Sequence, residues 1–271
     1  MTLPCLRTER AKMLCTTLVM GALGCAGPST QAPSRSETTP AAKVGEAQPA
    51  AEGTPIPDRI EVTILRLTPS VLHSPPFAQH CGETFLYVTA GKASVTGTDR
   101  VDLAVGDAVR LPRDTGVILG GDGTVVVFRV HGSTPGPCHE HGLEGPRSTS
   151  NAVEHRNAGG KLRVTILFEG DGQPLAGGLS VLRADRDFAV PEHTHEASDE
   201  TLYILGGEGT MRVGTAEIAV APGRVIHVPR GTVHDLRPRG TQPLHALQVY
   251  SPSGPEQRFK NEDTPSRSVG P

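Results

Sequence analysis

The sequence has no tryptophan, and aromatic residues make up only 3% of it. It also lacks a strong excess of one charge, because 26 Lys and Arg residues stand against 29 Asp and Glu residues, for a net charge of −3. Such a balance argues against a nucleic-acid partner. Glycine and proline, in contrast, are abundant, with 32 and 24 residues among 271, and this composition favours turn-rich β structure over a helical bundle.

A long hydrophobic run is also missing, because the apolar run over residues 13–23 is too short to cross a bilayer. Basic residues precede it, and a basic start before a short apolar run is typical of an export signal. The following Ala22-Leu23-Gly24-Cys25 resembles the lipobox of bacterial lipoproteins, although Ala22 stands where that motif usually has Leu. We therefore predict a signal peptide over residues 1–24 and lipidation of Cys25, with plain secretion or an uncleaved anchor as alternatives.

Residues 26–57 consist mainly of Ala, Pro, Ser, Thr, Glu and Gly. A segment with almost no large apolar residues cannot bury enough surface to offset the entropy of ordering it. We predict that residues 25–57 are a disordered linker that holds a folded domain away from a membrane. The expected location is the bacterial cell envelope, with the protein lipid-anchored on the periplasmic or outer-membrane face, or secreted if Cys25 is not lipidated.

Cysteine is scarce in the remainder of the chain. Of the five cysteines, only Cys81 and Cys138 remain if the signal peptide is removed and Cys25 is lipidated. An even pair in an oxidising compartment is compatible with a disulfide. Two alternatives stay open, namely an accessory metal site, because histidines flank both cysteines, or two unpaired cysteines.

Short runs rich in β-branched residues, separated by Gly, Pro and Asp, make up most of the chain after residue 58. Runs this short at such spacing predict an antiparallel sandwich or barrel, so the expected fold class is all-β. The runs form two series along the chain. The first covers residues 61–67, 84–89, 101–105, 108–111 and 125–130, and the second covers residues 162–168, 179–184, 201–205, 210–213, 217–220, 225–228 and 244–250.

The two series resemble each other in sequence. The hexapeptide that ends at Gly91 matches the one that ends at Gly207, and each series also contains a Gly followed after five residues by Pro. An internal duplication is the economical explanation. We predict a first barrel over residues 58–131, an interdomain connection over residues 132–160, a second barrel over residues 161–259 and a flexible tail over residues 260–271.

The second series carries a cluster of potential metal ligands. His193 and His195 lie two residues apart in an extended stretch, so their side chains project to the same face. Glu200 opens the next strand, and a hairpin between the two strands would bring its carboxylate beside the imidazoles. A barrel that closes on itself would add the remote His234. Together these four side chains predict one metal site.

The spacing of these ligands resembles two sequence motifs of the cupin superfamily. Residues 193–207 are similar to the first motif, because His-x-His is followed after four residues by Glu and after six more by Gly. Residues 223–234, with Gly, five residues, Pro-x-Gly, two residues and His, are similar to the second. In that family the matching three His and one Glu bind a metal inside a jelly-roll barrel. The resemblance covers about residues 160–255 and, with the duplication, implies two jelly-roll barrels, also called double-stranded β-helices.

The first repeat departs from the family pattern. Val117 takes the place of His234, and no His-x-His pair precedes Glu83. We therefore expect a degenerate barrel without a metal, whose role is to supply packing surface to the second barrel.

Three imidazoles and one carboxylate suit one divalent transition metal, and Mn, Fe, Ni, Co and Zn all remain candidates because no thiolate is offered. The resemblance implies a mononuclear metalloenzyme of dioxygenase, decarboxylase or isomerase type that acts on a small oxygen-rich molecule. A non-catalytic cupin lipoprotein that binds a ligand or a metal is the alternative. The expected partners are a small-molecule ligand and a membrane, with no nucleic acid, and both a monomer and a homodimer stay open.

Overall fold

The computed structural model describes residues 60–73, 82–111, 117–131, 143–169 and 177–261. The predicted signal peptide and linker, together with Cys25, Cys81 and Cys138, lie outside these residues. Within the described ranges, no helix combines the length and the apolar character that a membrane crossing requires. Export, lipidation and the disulfide therefore stay predictions.

The first half of the described chain is built from two antiparallel sheets. The larger sheet has the strand order β1-β7-β2-β5-β8, and the smaller one has the order β4-β3-β6. Their strands are β1 (Ile60–Arg66), β2 (Glu83–Ala90), β3 (Ala93–Thr96), β4 (Arg100–Leu103), β5 (Asp107–Leu111), β6 (Ile118–Gly121), β7 (Thr124–Val130) and β8 (Glu144–Ser148).

The second half again contains two antiparallel sheets. Their orders are β16-β13-β18-β11-β10-β9 and β12-β17-β14-β15. The strands are β9 (Glu154–Asn157), β10 (Leu162–Phe168), β11 (Gly178–Ala184), β12 (Val190–His193), β13 (Asp199–Gly206), β14 (Glu208–Val213), β15 (Ala216–Val220), β16 (Val225–Val228), β17 (His234–Arg239) and β18 (Leu244–Ser251). Two short 3-10 segments, Ala158–Gly160 and Pro255–Lys260, complete this half.

The same strand order occurs in both halves. In the larger sheets, β1-β7-β2-β5 corresponds to β11-β18-β13-β16, and in the smaller sheets, β4-β3-β6 corresponds to β15-β14-β17. Pairs of antiparallel sheets connected in this way form jelly-roll barrels. The structure therefore confirms the predicted all-β fold class.

A glycine ends the matching hexapeptide of each half for a steric reason. Gly91 and Gly207 have φ angles of +65° and +79°, which side-chain-bearing residues rarely adopt. A Cβ atom would also lie 2.7 Å from a backbone atom at Gly91 and 2.5 Å from one at Gly207. The repeated glycine thus marks the same close backbone approach in both halves.

Strand alternation divides the apolar side chains between three cores. In β13, Leu202 and Ile204 point into the second barrel, whereas Tyr203 points outwards. The outward faces of the larger sheets from both barrels pack together in one apolar cluster. Within it, the rings of Phe85 and Phe168 lie 5.7 Å apart. The first barrel therefore supplies packing surface to the second, as the sequence predicts.

The segment between the barrels is more regular than the sequence indicates. Within residues 132–160, which were predicted as a connection, β8 pairs with β5 of the first barrel and β9 pairs with β10 of the second. Part of this segment is therefore sheet, and each large sheet gains an edge strand. The sequence pattern missed both strands because their residues, EGPRS and EHRN, include no large apolar side chain.

A buried ion cluster lies where the barrels meet. The carboxyl of Glu83, whose residue is 8% exposed, lies 3.4 Å from Nη1 of Arg110 and accepts a hydrogen bond of 3.3 Å from the backbone N–H of Gly177. Arg110 also pairs with Glu144 of β8. Burial raises the pKa of Glu83 to about 7 and outweighs the opposite influence of Arg110.

We expect this carboxyl to make stability depend on pH. Between its unfolded pKa near 4.5 and about 7, Glu83 holds a proton in the folded state that the unfolded chain releases, so the stability it contributes is lost as the pH rises. From pH 5 to pH 8, wild type should lose roughly 2 to 3 kcal/mol of unfolding free energy relative to Glu83→Gln, measured by urea denaturation. The exposed Glu217→Gln should follow wild type. Identical pH profiles for wild type and Glu83→Gln would contradict the assignment.

Candidate metal centre

Two neighbouring strands of the smaller sheet place two predicted ligands side by side. His193 is the last residue of β12, His234 is the first residue of β17, and the strand register pairs them directly. The centroids of their rings are 4.1 Å apart. His195 follows β12, and its carbonyl oxygen accepts a hydrogen bond of 2.9 Å from the backbone N–H of Gly231. This bond ties the two sequence motifs together.

Glu200 reaches the histidines from the other sheet of the barrel. The sequence predicted a hairpin between the strands of His193 and Glu200, and this prediction is wrong, because β12 pairs with β17 whereas β13 pairs with β16 and β18. Glu200 points inwards from β13, and its Oε2 lies 3.0 Å from Nε2 of His234. The enclosed space between two sheets therefore brings the four side chains together.

Backbone contacts fix the orientation of two imidazole rings. Nδ1 of His193 lies 2.8 Å from the carbonyl oxygen of Pro191, and Nδ1 of His234 lies 2.8 Å from that of Thr232. A carbonyl oxygen can only accept, so each Nδ1 carries the proton and donates it. Both rings therefore present the lone pair of Nε2, which is how histidines held by a backbone carbonyl ligate metals.

The potential ligand atoms converge on one point. One nitrogen from each of the three histidines and one oxygen of Glu200 all lie within 4.8 Å of one another. His195, Glu200 and His234 are only 7%, 3% and 1% exposed. Oε2 of Glu200 and Nε2 of His234 make no well-oriented hydrogen bond with any described residue. Buried polar atoms are seldom left in this state, and a metal ion at their common centre would satisfy both, so these residues fit a metal site.

A second layer of hydrogen bonds orients the carboxylate. Burial alone would raise the pKa of Glu200, but His195 and His234 hold it well below its usual value, so the group is ionised. Its Oε1 accepts a hydrogen bond from Nε2 of Gln248, and Oε1 of Gln248 in turn accepts one of 3.2 Å from Oγ of Ser180. The hydrogen bond from Gln248 thereby holds Oε1 of Glu200 and leaves its Oε2 facing the histidines.

We expect Gln248→Met to weaken Co²⁺ binding by about 10- to 100-fold, because the variant keeps the volume of the side chain but leaves Oε1 of Glu200 without its donor. Titration of the purified protein with Co²⁺, followed by visible absorption, would measure the change. Ser180→Ala, which leaves the bond from Gln248 to Glu200 in place, should change the affinity by less than about threefold. An unchanged affinity in Gln248→Met would show that this bond does not orient the ligand.

Burial also lowers the proton affinity of two imidazoles. It is the largest cause that lowers the pKa of His193 to about 4, and it lowers the pKa of His195 as well. Burial acts in the same direction on His234, but the carboxylate of Glu200 more than offsets it and raises the pKa of that ring. At neutral pH, His193 and His195 are therefore in the neutral form that binds metals.

Known protein families agree with this geometry. Residues 184–250, which include all four potential ligands, match the cupin domain family. Over these residues, the second barrel is similar to a cupin domain. Its four-residue cluster occupies the interior of the barrel, where the sequence motifs predicted it.

Known relatives of this chain include an enzyme. It is 29% identical over 116 residues to the tetracenomycin polyketide synthase protein TcmJ of Streptomyces glaucescens, an alignment that covers 43% of this chain and 76% of that protein. It is 39% identical over 67 residues to quercetin 2,3-dioxygenase of Bacillus subtilis, but this alignment covers 25% of this chain and only 19% of the dioxygenase. The match therefore concerns one part of that enzyme.

Solved structures share the fold of this chain. The oxalate decarboxylase of Lactobacillus farciminis, crystallised with formate, superposes with a TM-score of 0.55 at 13% identity, over 72% of this chain and 77% of that one. At such a low identity the similarity shows the fold alone.

Arg258 lies beside the candidate metal site, and the sequence did not reveal it. It lies in the 3-10 segment Pro255–Lys260, and its guanidinium is 3.2 Å from Nδ1 of His195 and 3.5 Å from Nε2 of His193. It also donates a hydrogen bond of 3.3 Å to the hydroxyl of the buried Tyr250. The only sequence feature that could have indicated this role is the position of an arginine soon after the last strand. No periodic pattern in the sequence shows that this segment folds back over the barrel.

Two acidic residues next to the ligands, Glu192 and Asp199, form ion pairs with arginines. Glu192 pairs with Arg212. Asp199 pairs with Arg230 at 3.0 Å and accepts a further hydrogen bond of 2.9 Å from the backbone N–H of the same arginine. Because Arg230 belongs to the turn before His234, this pair holds the turn in place rather than serving the interior of the site.

In the described part of the first barrel, the positions that match Glu200 and His234 carry no metal ligand. Thr84 lies opposite Leu111, just as Glu200 of the second barrel lies opposite Val228. The sequence comparison took Glu83 as the counterpart of Glu200. The strand register shows that the counterpart is Thr84, one residue further along the chain. Val117, which replaces the last histidine, is 3% exposed and belongs to the apolar core.

Proposed function

We propose that the protein is a mononuclear metalloenzyme, of dioxygenase, decarboxylase or isomerase type, that acts on a small oxygen-rich molecule. His193, His195, Glu200 and His234 would hold one divalent transition metal, with Mn, Fe, Ni, Co and Zn as candidates. The observation that carries the proposal is the convergence of four ligand atoms within 4.8 Å, two of them buried without a hydrogen bond in the described chain.

A bound divalent ion would act as a Lewis acid and as a template for oxygen ligands of the substrate. The residues of this chain have separate tasks around it. Gln248 orients the carboxylate of Glu200, and the backbone carbonyls before His193 and His234 orient their rings. Arg258 and the hydroxyl of Tyr250 present hydrogen-bond donors beside the ligand atoms.

One sequence similarity supports an enzyme. The relative with the highest identity quoted above is a dioxygenase, although the alignment covers only 19% of that protein. A basic group within 3.5 Å of potential ligand atoms also favours chemistry over a purely structural ion, because a charged group at that place can interact with a bound molecule.

A non-catalytic cupin that binds a ligand or a metal is the second candidate. The arrangement of acidic groups favours it, because Glu192 and Asp199, which flank the ligands, are both committed to arginines. Neither carboxylate is therefore placed to accept a proton from a substrate.

Measurement of turnover separates these candidates. The metal content of protein purified from its native source is determined first, and the protein is then assayed for oxygen uptake with oxalate, a flavonol and a catechol, and for release of carbon dioxide from oxalate. Turnover of one of these compounds that His234→Ala abolishes would support the enzyme. Full metal loading without turnover of any of them would favour the binding protein.

We place the protein in the bacterial cell envelope, held by a lipid on Cys25. The support for this location is the sequence of residues 1–25 alone. A monomer and a homodimer are both compatible with a lipid anchor. The mass of the N-terminal peptide of membrane-fraction protein would test the anchor. Cys25→Ser should abolish the lipid mass on this peptide, and a wild-type N-terminal peptide without added lipid mass would contradict lipidation.

A further inference from the structure

The segment that carries Arg258 is anchored on both sides of this residue. Glu256 is fully buried, and Phe259 is 3% exposed and packs into the core of the second barrel. The side-chain amide of Asn157 donates a hydrogen bond of 3.2 Å to the carbonyl oxygen of Phe259. Arg258 itself is exposed, so the segment holds a solvent-accessible arginine at a fixed place beside the four ligands.

The guanidinium of Arg258 has neutral neighbours. It lies 3.2 Å from Nδ1 of His195, 3.3 Å from the hydroxyl of Tyr250 and, measured from Cζ, 4.6 Å from the centre of the Phe259 ring. In the part of the chain that the structure describes, it forms no ion pair with a carboxylate. Most other arginines in the described part of the chain form an ion pair with Asp or Glu, as Arg230 does with Asp199.

A metal at this site would leave an excess of positive charge at its open side. Three neutral imidazoles and one carboxylate cancel only one of the two charges of a divalent ion. The guanidinium adds another positive charge a few ångströms away, and two cations this close repel each other unless an anion lies between them. Glu200 cannot be that anion, because its two oxygens face Gln248 and the histidines.

We infer that Arg258 determines specificity by binding a carboxylate of the substrate, so that the substrate class is small carboxylic acids. This inference rests on the proposed metal site. The planar guanidinium matches a carboxylate through two parallel hydrogen bonds, and such charge-assisted bonds are the strong ones. The hydroxyl of Tyr250 and the ring of Phe259 keep the guanidinium in place before the substrate arrives.

Anion binding to the Co²⁺-loaded, full-length protein tests the inference without an activity assay. Oxalate is titrated in and followed by calorimetry and by the visible spectrum of the ion. Arg258→Gln should weaken oxalate binding by about 10- to 100-fold, because it removes one charge-assisted hydrogen-bond pair. Arg258→Lys, which keeps the charge, should lose less, and neither change should weaken Co²⁺ binding, because each leaves the four ligands intact.

The matched control is Arg183→Gln. Arg183 is exposed on β11 opposite His245, well away from the four ligands, so this variant makes the same change of net charge without touching the site. Its oxalate affinity should equal that of wild type. Oxamide, the neutral analogue of oxalate, should bind weakly to every variant and show no dependence on residue 258.

The outcomes separate the two proposals. Wild type that fails to bind Co²⁺ would overturn the metal site and this inference together. Wild type that binds Co²⁺ and oxalate, with the same oxalate affinity in Arg258→Gln, would leave the metal site standing and overturn the role of Arg258. Tighter binding of inorganic phosphate or oxamide than of oxalate would overturn the assignment of a carboxylate.

Discussion

His234→Ala is expected to lower the affinity for Co²⁺ by at least about a hundredfold, because it removes one of four ligands from a buried site whose other three cannot move to replace it. The backbone contact to Thr232 fixes the ring of His234, and Oε2 of Glu200 lies 3.0 Å from its Nε2. Competitive titration against a chelator would measure the affinity. An ion stabilises the folded protein only when it is bound. Metal should therefore raise the melting temperature of wild type and leave that of the variant unchanged.

His245→Ala is the matched control for this experiment. Its ring lies on β18 opposite Arg183, away from the cluster, and burial lowers its pKa to about 4. The control therefore removes a half-buried imidazole without removing a ligand. Metal affinity should match wild type in His245→Ala, and a His234→Ala protein that binds Co²⁺ as tightly as wild type would refute the ligand set.

Phe168→Ala is expected to destabilise the protein by about 3 to 5 kcal/mol, the usual effect of removing a large aromatic side chain from a core. Phe168 is 1% exposed and lies in the core that the two barrels share. Its ring is 5.7 Å from that of Phe85, and the guanidinium groups of Arg110 and Arg147 lie 5.8 and 4.9 Å from its centre. Urea denaturation would give the loss in unfolding free energy.

The comparison variant is Phe188→Ala, which removes a partly buried ring at the margin of the second core and should be less destabilising. The double variant with Phe85→Ala should lose less than the sum of the two single changes, because the two rings contact each other. We expect wild type to unfold in one transition. Two separate transitions, with Phe168→Ala affecting only one, would show that the shared core does not couple the barrels.

Strand prediction worked where one face of a strand is apolar and failed where it is not. Residues 162–168 and 225–228 were predicted with their observed bounds, because β-branched and large apolar side chains dominate both. In contrast, β17 reads HDLRPR and β8 reads EGPRS, so that polar residues and a proline hide each strand. These two strands form only because neighbouring strands offer them hydrogen-bond partners, which is not a property of their own residues.

The sequence by itself determined the four candidate ligands, because their types and spacing match two motifs of a known metal-binding family. It also determined the repeated glycines and the all-β class, which follow from local sterics and from short β-branched runs. Tertiary structure decided that Glu200 meets the histidines across the barrel interior rather than within a hairpin. It also decided that Arg258 lies beside His195. Contacts between segments distant in the chain depend on how the sheets close, and local residue patterns carry no record of that closure.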